Sequence, residues 1–584
     1  MTTSLAMNAG PLVTDVDSLD VVLFGVGDLR VHDHQGLQQA LQNVETYNSQ
    51  ILPLLILDDV TLSSIPGVVA HTVDTAAIIT EIIQDLRQNL KERYNLNLHV
   101  RFGTPQGLSD VLVQEILELP AAEFATRNTT IRIHACDLGD ADNVMGYGAF
   151  ANLNNLPNYV QVCAWSCRLR EDAWNSVETI PTSYPDYCAN YHSQKPSMPL
   201  PTNLATVPDS SCIQIEGLTK LPSVDDMIHR IAMICQLDPK RCTQEHNTGL
   251  FETHWGGLDS ITAVESEVLK SLKRFVEECN EDDEEYAKLP LECVRNIWSL
   301  EHATMAWNLR GDGTKDTMNP KNLIAGERLT RYLAAPLFFG TLSPRQLWYT
   351  VKAEYPFFSN PFRLLVEGRE WHSLLAARNI RTDPAYQGKG DVRYAYWRWH
   401  GFLCRYAKSI LNEPKEGEKE GLLLVHGFGA SCGQWSKLMR AVSDVIDVNS
   451  NMEALAPDLL GFGQSEKPGI TYAGYTWECQ IGDFVKEIAI AKNGWSSFVI
   501  GGNSIGGFTS MCAAANDATT RKVLSAAGAP GTGRCTGAIL MNPAGVIQSQ
   551  EYVSKMEESS GTNVLLESVA QVTAEDMLLP CKYV

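Results

Sequence analysis

The stretch Phe498-Val499-Ile500-Gly501-Gly502-Asn503-Ser504-Ile505-Gly506-Gly507 decides how this chain is read. Its apolar start reads as the end of a buried strand, and the glycines predict a turn too sharp for side chains. The pattern is Gly-x-Ser-x-Gly, with a helix expected to begin after the serine. Side chains at 502 and 506 would collide with neighbouring backbone, whereas glycine lets the chain double back and lift Ser504 into the open. A hydroxyl placed this way is a candidate nucleophile, but a poor one until an adjacent base takes its proton. No histidine follows Ser504; the last in the chain is His426.

Four further segments surround this turn in order. Trp397-Arg398-Trp399-His400-Gly401-Phe402-Leu403-Cys404-Arg405-Tyr406 alternates and predicts an antiparallel strand or hairpin. Leu422-Leu423-Leu424-Val425-His426-Gly427-Phe428-Gly429 predicts a buried strand entering a glycine-rich turn. Residues 452–468, with Ala456-Pro457-Asp458 and Gly461-Phe462-Gly463, predict another strand and tight loop, and Gly537-Ala538-Ile539-Leu540-Met541-Asn542-Pro543 predicts a last strand. These signatures, over about 390–545, resemble the α/β-hydrolase family, in wording close to plant and algal chloroplast esterases of the pheophytinase type.

The resemblance implies roles residue by residue. Ser504 stands at the nucleophile position, and the backbone N–H groups of Phe428 and Ile505 stand where the family forms its oxyanion hole. His426, with Gly427, stands at a position that orders the oxyanion loop, and Asp458 is expected to fix its own loop. The family's acid follows the sixth or seventh strand and its histidine the eighth. Here Asn542 follows the sixth, Asp576 lies near the end, and 548–579 reads as the start of a helical cap. The domain is therefore expected to be incomplete at its C-terminus, with an uncovered sheet edge. Three readings stay open: a sequence that stops early, a catalytically silent binding module, and a base supplied by another domain or subunit.

Upstream, two other regimes are visible. From 19 to 200 short apolar runs (Val21 to Phe24, Ile51 to Leu57, Leu98 to Phe102) alternate with helical periodicity such as 76–90, which predicts a parallel sheet. A polar, proline-rich passage over 184–222 is expected to connect domains. Residues 223–380 read as mainly helical, with an acidic run at 277–285 taken as a solvated stretch and a half-buried helical His372. The C-terminal domain is expected over 390–584, with a charged linker at 412–420.

Gly27-Asp28-Leu29-Arg30-Val31-His32-Asp33 resembles the first strand–loop of the photolyase/cryptochrome family, and Leu54 to Asp58, Val100 to Pro105 and Phe338-Phe339-Gly340-Thr341-Leu342-Ser343-Pro344-Arg345 continue the likeness in order. The expected fold class is therefore α/β: a photolyase-like Rossmann-type parallel sheet domain, a mainly helical middle region and a C-terminal α/β-hydrolase domain. The fusion itself resembles a two-part protein family of plants and algae. The family grips flavin through hydroxyls where this chain has Thr330-Arg331-Tyr332-Leu333-Ala334, so flavin is not expected. An antenna-type chromophore in the first domain stays open, and hydrolase chemistry needs no cofactor.

Composition sets outer limits. At 584 residues, roughly 150 per domain allows about four units. A net charge of −22 argues against sequence-independent nucleic-acid binding, which needs Lys and Arg on phosphates. No apolar run approaches the ~20 residues that span a bilayer. Fifteen cysteines occur without a Cys-x-x-Cys pair, and Cys163 and Cys167 are too loose a hint for zinc, so reduced thiols in an intracellular protein and no metal site are expected. The first eighteen residues lack arginine and an apolar core, so neither a secretory nor a transit peptide is expected; a plastid is suggested by the family alone. The function expected is a serine carboxyl-ester hydrolase in its full-length form, acting on a small, lipophilic ester. The alternative is a non-catalytic assembly or chromophore-binding, light-responsive module.

Overall fold

The computed structural model describes residues 18–69, 72–103, 130–191, 196–235, 263–270, 333–354, 361–388, 392–409, 418–445, 452–467, 474–526 and 535–544, apart from single positions and short turns within these ranges. The acidic run 277–285, the linker residues 412–417, residues 104–105 and 330–332, Asp576 and the stretch 548–579 lie outside them. The chain divides into two compact units, with the division after Arg378.

In the first unit, β1 (Ser18–Phe24), β2 (Ser49–Leu57), β3 (His99–Phe102), β4 (Thr130–Cys136) and β5 (Val160–Trp165) form one sheet, in the order β3-β2-β1-β4-β5. Every pairing is parallel. β1 and β2 are buried along their whole length, as strands covered on both faces must be, which explains their unbroken apolar runs. Pro53 is tolerated inside β2 because β3 pairs only from Leu54 onward, so no ladder bond to β3 asks for its missing N–H. Helices α1 (Gln35–Tyr47) and α2 (Thr72–Tyr94) supply the crossovers; His34 caps α1 by accepting from Leu37 N.

The passage 184–222 differs from the expected connection. It forms α3 (Tyr184–Tyr191), which buries Tyr184, Tyr187 and Cys188, and then runs beside β2, where Ile213 N donates to Ile51 O. Apolar content outweighed the proline signal. Beyond it lie α4 (Val224–Ile234), α5 (Pro344–Glu354) and α6 (Pro361–Thr382). His372, expected half-buried, is fully buried on α6 at 2% exposure. The segments 27–33 and 338–345 pack on each other: Gly27 N and Leu29 N donate to Phe339 O, and Arg30 Nη1 donates to Gly340 O.

The second unit opens with the hairpin β6 (Val392–Trp399) and β7 (Phe402–Ser409). β8 (Lys419–Val425), β9 (Met452–Pro457), β10 (Trp495–Asn503) and β11 (Cys535–Met541) complete a sheet ordered β11-β10-β8-β9-β7-β6. β8 to β11 are mutually parallel, and β7 joins β9 antiparallel. Helices α7 (Ser436–Val445), α8 (Gly474–Phe484) and α9 (Ile505–Ala526) accompany them. The core gathers Trp397, Tyr406, Leu423, Leu455, Phe484 and Trp495. Among the described residues no helix is long and apolar enough to cross a membrane.

Candidate active site at the strand ends of the C-terminal sheet

Register decides which loops meet. Gly502 on β10 pairs with Val425 on β8, so the turns 426–430 and 503–506 leave the same end of adjacent parallel strands. The loop from Asp458 leaves β9 at that same carboxyl end, the edge where open α/β sheets hold their ligands.

Ser504 sits at φ +54°, a left-handed conformation a non-glycine residue adopts only when its surroundings enforce it. Four backbone bonds do so. Its N–H donates to Met541 O at 3.0 Å, and its carbonyl accepts from Gly507 N (3.0 Å), Phe508 N (3.2 Å) and Ala544 N (2.8 Å). The glycines make the turn sterically feasible: a Cβ on Gly502 would overlap the Gly506 carbonyl, and one on Gly506 would overlap the carbonyls of Val425 and His426. Ser504 itself is half-buried, and among the described residues no hydrogen bond engages its hydroxyl. α9 begins at Ile505, so its free N–H groups and positive dipole end lie beside the serine.

The facing turn approaches closely. A Cβ on Gly427 would lie 2.9 Å from Asn503 Oδ1 and 3.4 Å from Ser504 Cβ. Gly427 N donates to Gln434 Oε1 at 3.2 Å, and Ala430 N to Gly427 O. The amides of Phe428 and Ile505 find no acceptor among the described residues. The Phe428 ring is 50% exposed and lies 5.1 Å from Phe462, which in turn neighbours Trp477.

His426 is wholly buried and both ring nitrogens are engaged. Nδ1 lies 2.8 Å from Gly427 O and Nε2 3.0 Å from Leu459 N; since the Leu459 amide must donate, the proton belongs on Nδ1. Burial lowers its pKa, against the pull of Asp458. The ring thereby joins the β8 and β9 loops and leaves no lone pair for Ser504.

Asp458 is buried too, and its carboxylate accepts from Arg405 Nε (2.7 Å), Cys432 N (2.6 Å) and Gln464 N (2.9 Å). Burial pushes its pKa up, but Arg405, His426 and the two amides outweigh it and hold the carboxyl below its usual range. Gly463, at φ +54°, is glycine because a Cβ there would overlap this carboxylate. Sequence reasoning passed over Arg405, Gln434 and Asn503. Arg405 alone carried a signal, as a charge inside an apolar alternating strand. Asn542, exposed at φ +44°, follows β11. Among the described residues no group of three or more His, Cys, Asp or Glu could hold a metal ion.

A mainly parallel sheet with a glycine-lined serine turn between β10 and a helix defines the class: the C-terminal part of the chain is an α/β-hydrolase domain. The α/β hydrolase fold family matches residues 421–555. Lipase 1 of Psychrobacter immobilis is 34% identical over 155 residues, 26% of this chain and 46% of the lipase. Lipase 3 of Moraxella sp. (strain TA144) is 34% identical over 108 residues, 18% of this chain and 31% of that lipase. The chain thus spans less than half the length of these curated relatives. Solved structures that match include a haloalkane dehalogenase loop variant from Bradyrhizobium elkanii (18% identity, TM-score 0.20, covering 29% of this chain and 50% of that one). A second is a thermophilic esterase from Thermogutta terrifontis (19% identity, TM-score 0.18, covering 28% and 50%).

Proposed function

We propose that the C-terminal domain carries the acyl-transfer half of a serine ester hydrolase. Ser504 attacks the carbonyl carbon of the ester. The tetrahedral oxyanion is received by the N–H groups of Phe428 and Ile505, each worth about 3 kcal/mol of barrier in sites of this kind. The single observation carrying the reading is Ser504 at φ +54°, with Gly427 against its Cβ. His426 and Asp458 order the loops that hold these donors. The half-exposed Phe428, beside Phe462, supports a lipophilic ester, as does the likeness to proteins named lipases. No metal or organic cofactor enters this chemistry.

The base is the open position. No histidine follows Ser504, and His426 is committed to the loops. The 584-residue chain is therefore expected to turn over p-nitrophenyl butyrate slowly, and added imidazole should accelerate it beyond imidazole's own background reaction. Ser504→Ala should abolish that increment. Fast turnover without imidazole would overturn the account of the base. No Ser504-dependent increment, together with no fluorophosphonate adduct on Ser504, would overturn the role of the serine and leave a non-catalytic module.

For the first unit we keep the photolyase-like reading, supported by its parallel sheet and by the packing of 27–33 against 338–345. It is read as a unit without repair activity or nucleic-acid partner, and without flavin. Absorbance of the purified chain above 350 nm would instead favour a chromophore-binding role.

A further inference from the structure

Cys136 ends β4, and Cys167 follows β5 on the neighbouring strand; β4 and β5 are paired in parallel up to Cys136 opposite Trp165. That pairing carries both sulfurs to the same carboxyl end of the sheet, where they lie 3.7 Å apart. Both are buried, Cys136 at 2% and Cys167 at 8% exposure, within a small apolar cluster with Trp165 and Leu138. Three arginines, Arg30, Arg168 and Arg345, direct their charge at Cys167, and all three are themselves buried. Among the described residues, Nη2 of Arg168 and Nη2 of Arg345 have no hydrogen-bond partner. These arginines favour the ionised form of Cys167, the charge setting that activates a thiol, although Arg345 is also paired with Asp33.

We propose that Cys136 and Cys167 form a peroxide-sensitive modification site that closes to a disulfide. The Cys136 S–H, donating to Cys167, lowers the Cys167 pKa most; burial opposes it and the arginines assist, so the thiol is held below its usual range. Burial drives the Cys136 thiol upward, so the pair divides into a thiolate and its proton-bearing partner. Asp28, which faces the same charges, is itself pushed up to about 7, chiefly by burial, and therefore opposes the thiolate less than an ordinary carboxylate would.

The chemistry balances with hydrogen peroxide as the oxidant. The Cys167 thiolate attacks one peroxide oxygen; the O–O bond breaks, giving the sulfenic acid and hydroxide. Cys136 then loses its proton and attacks Cys167 Sγ, forming the S–S bond and expelling hydroxide, so that two thiols and one peroxide become one disulfide and two waters. The sulfurs must close from 3.7 Å to about 2.0 Å for the bond to form. Peroxide is small enough for a site that exposes only 8% of Cys167. The product would tie the loops after β4 and β5 together and remove the anion facing three arginines.

The test uses the full chain with hydrogen peroxide at neutral pH, followed by denaturing alkylation and peptide mapping. The expected result is a single dithiothreitol-reversible cross-link between the Cys136 and Cys167 peptides, forming at least ~10-fold faster than any oxidation of Cys404 or Cys432. Both of those lone thiols are held protonated, chiefly by burial. Cys136→Ser should leave Cys167 as a sulfenic acid captured by dimedone. Recovery of both Cys136 and Cys167 as free thiols after the other cysteines have oxidised would overturn the proposal. So would over-oxidation of Cys167 in the intact chain with no cross-link. Both readings come from the unsubstituted protein, so they hold even where the serine variant fails to fold.

Discussion

Asp458→Asn separates a loop-ordering carboxylate from a catalytic acid. The two oxygens serve different donors: Oδ2 takes Arg405 Nε and Gln464 N, and Oδ1 takes Cys432 N. An amide in the same place presents NH2 to a donor whichever way it turns, and Arg405, at 11% side-chain exposure, loses its counter-charge. Breaking a buried pair from one side costs about 3–5 kcal/mol. Taking about 4 kcal/mol and a urea slope of about 2.5 kcal/mol per molar, the midpoint of the C-terminal unit should fall by about 1.6 M. A chain of two units need not unfold in one step, so the assay is urea unfolding with hydrogen exchange read on peptides from β7, β8 and β9. Adding Arg405→Met should recover part of the loss, because the orphaned charge is then gone. The sign with pH is also determined. The folded pKa is depressed, so Asp458 contributes stability above its unfolded value of about 3.9, lost as pH falls from about 5 through the folded value. The substitution should flatten that acid limb. A midpoint shift under about 0.4 M, or equal losses in the single and double variants, would refute the reasoning. Impaired turnover at unchanged stability would instead make Asp458 a catalytic acid.

The glycines of the site should divide sharply. Gly506→Ala should leave little soluble C-terminal unit, because its methyl overlaps the Val425 and His426 carbonyls, while Gly429→Ala, at φ +73° with open space around it, should cost only about 1–2 kcal/mol; melting curves of the two decide it. Lys467, buried at 6% exposure, has its pKa lowered to about 8, mainly by burial, with Arg405 adding to this and Asp458 and Glu466 opposing it. The unfolded chain then binds more protons between about pH 8 and 10.4, so stability should rise across that window. Lys467→Met should remove the rise, and urea midpoints across that range would show it.

The local devices were legible because their causes are local. Gly502 is demanded by the Gly506 carbonyl four residues on, and the apolar runs of β1, β2 and β8 follow from their burial. Sequence alone also showed that no histidine of this chain follows Ser504, since the order of histidines along a chain needs no coordinates. The passage 184–222 shows where this stops: its prolines marked a linker, but the docking of α3 and the bridge from Ile213 to Ile51 are non-local events. Likewise, only strand register brings Gly427 against Asn503, commits Nε2 of His426 to Leu459, and sets Arg405 on the carboxylate of Asp458, 53 residues away. The meeting of Cys136 with Cys167, 31 residues apart, is of the same kind. Residue types and spacings record which conformations a segment tolerates; which side chains then share a proton or a charge depends on contacts that exist only once the sheets have assembled.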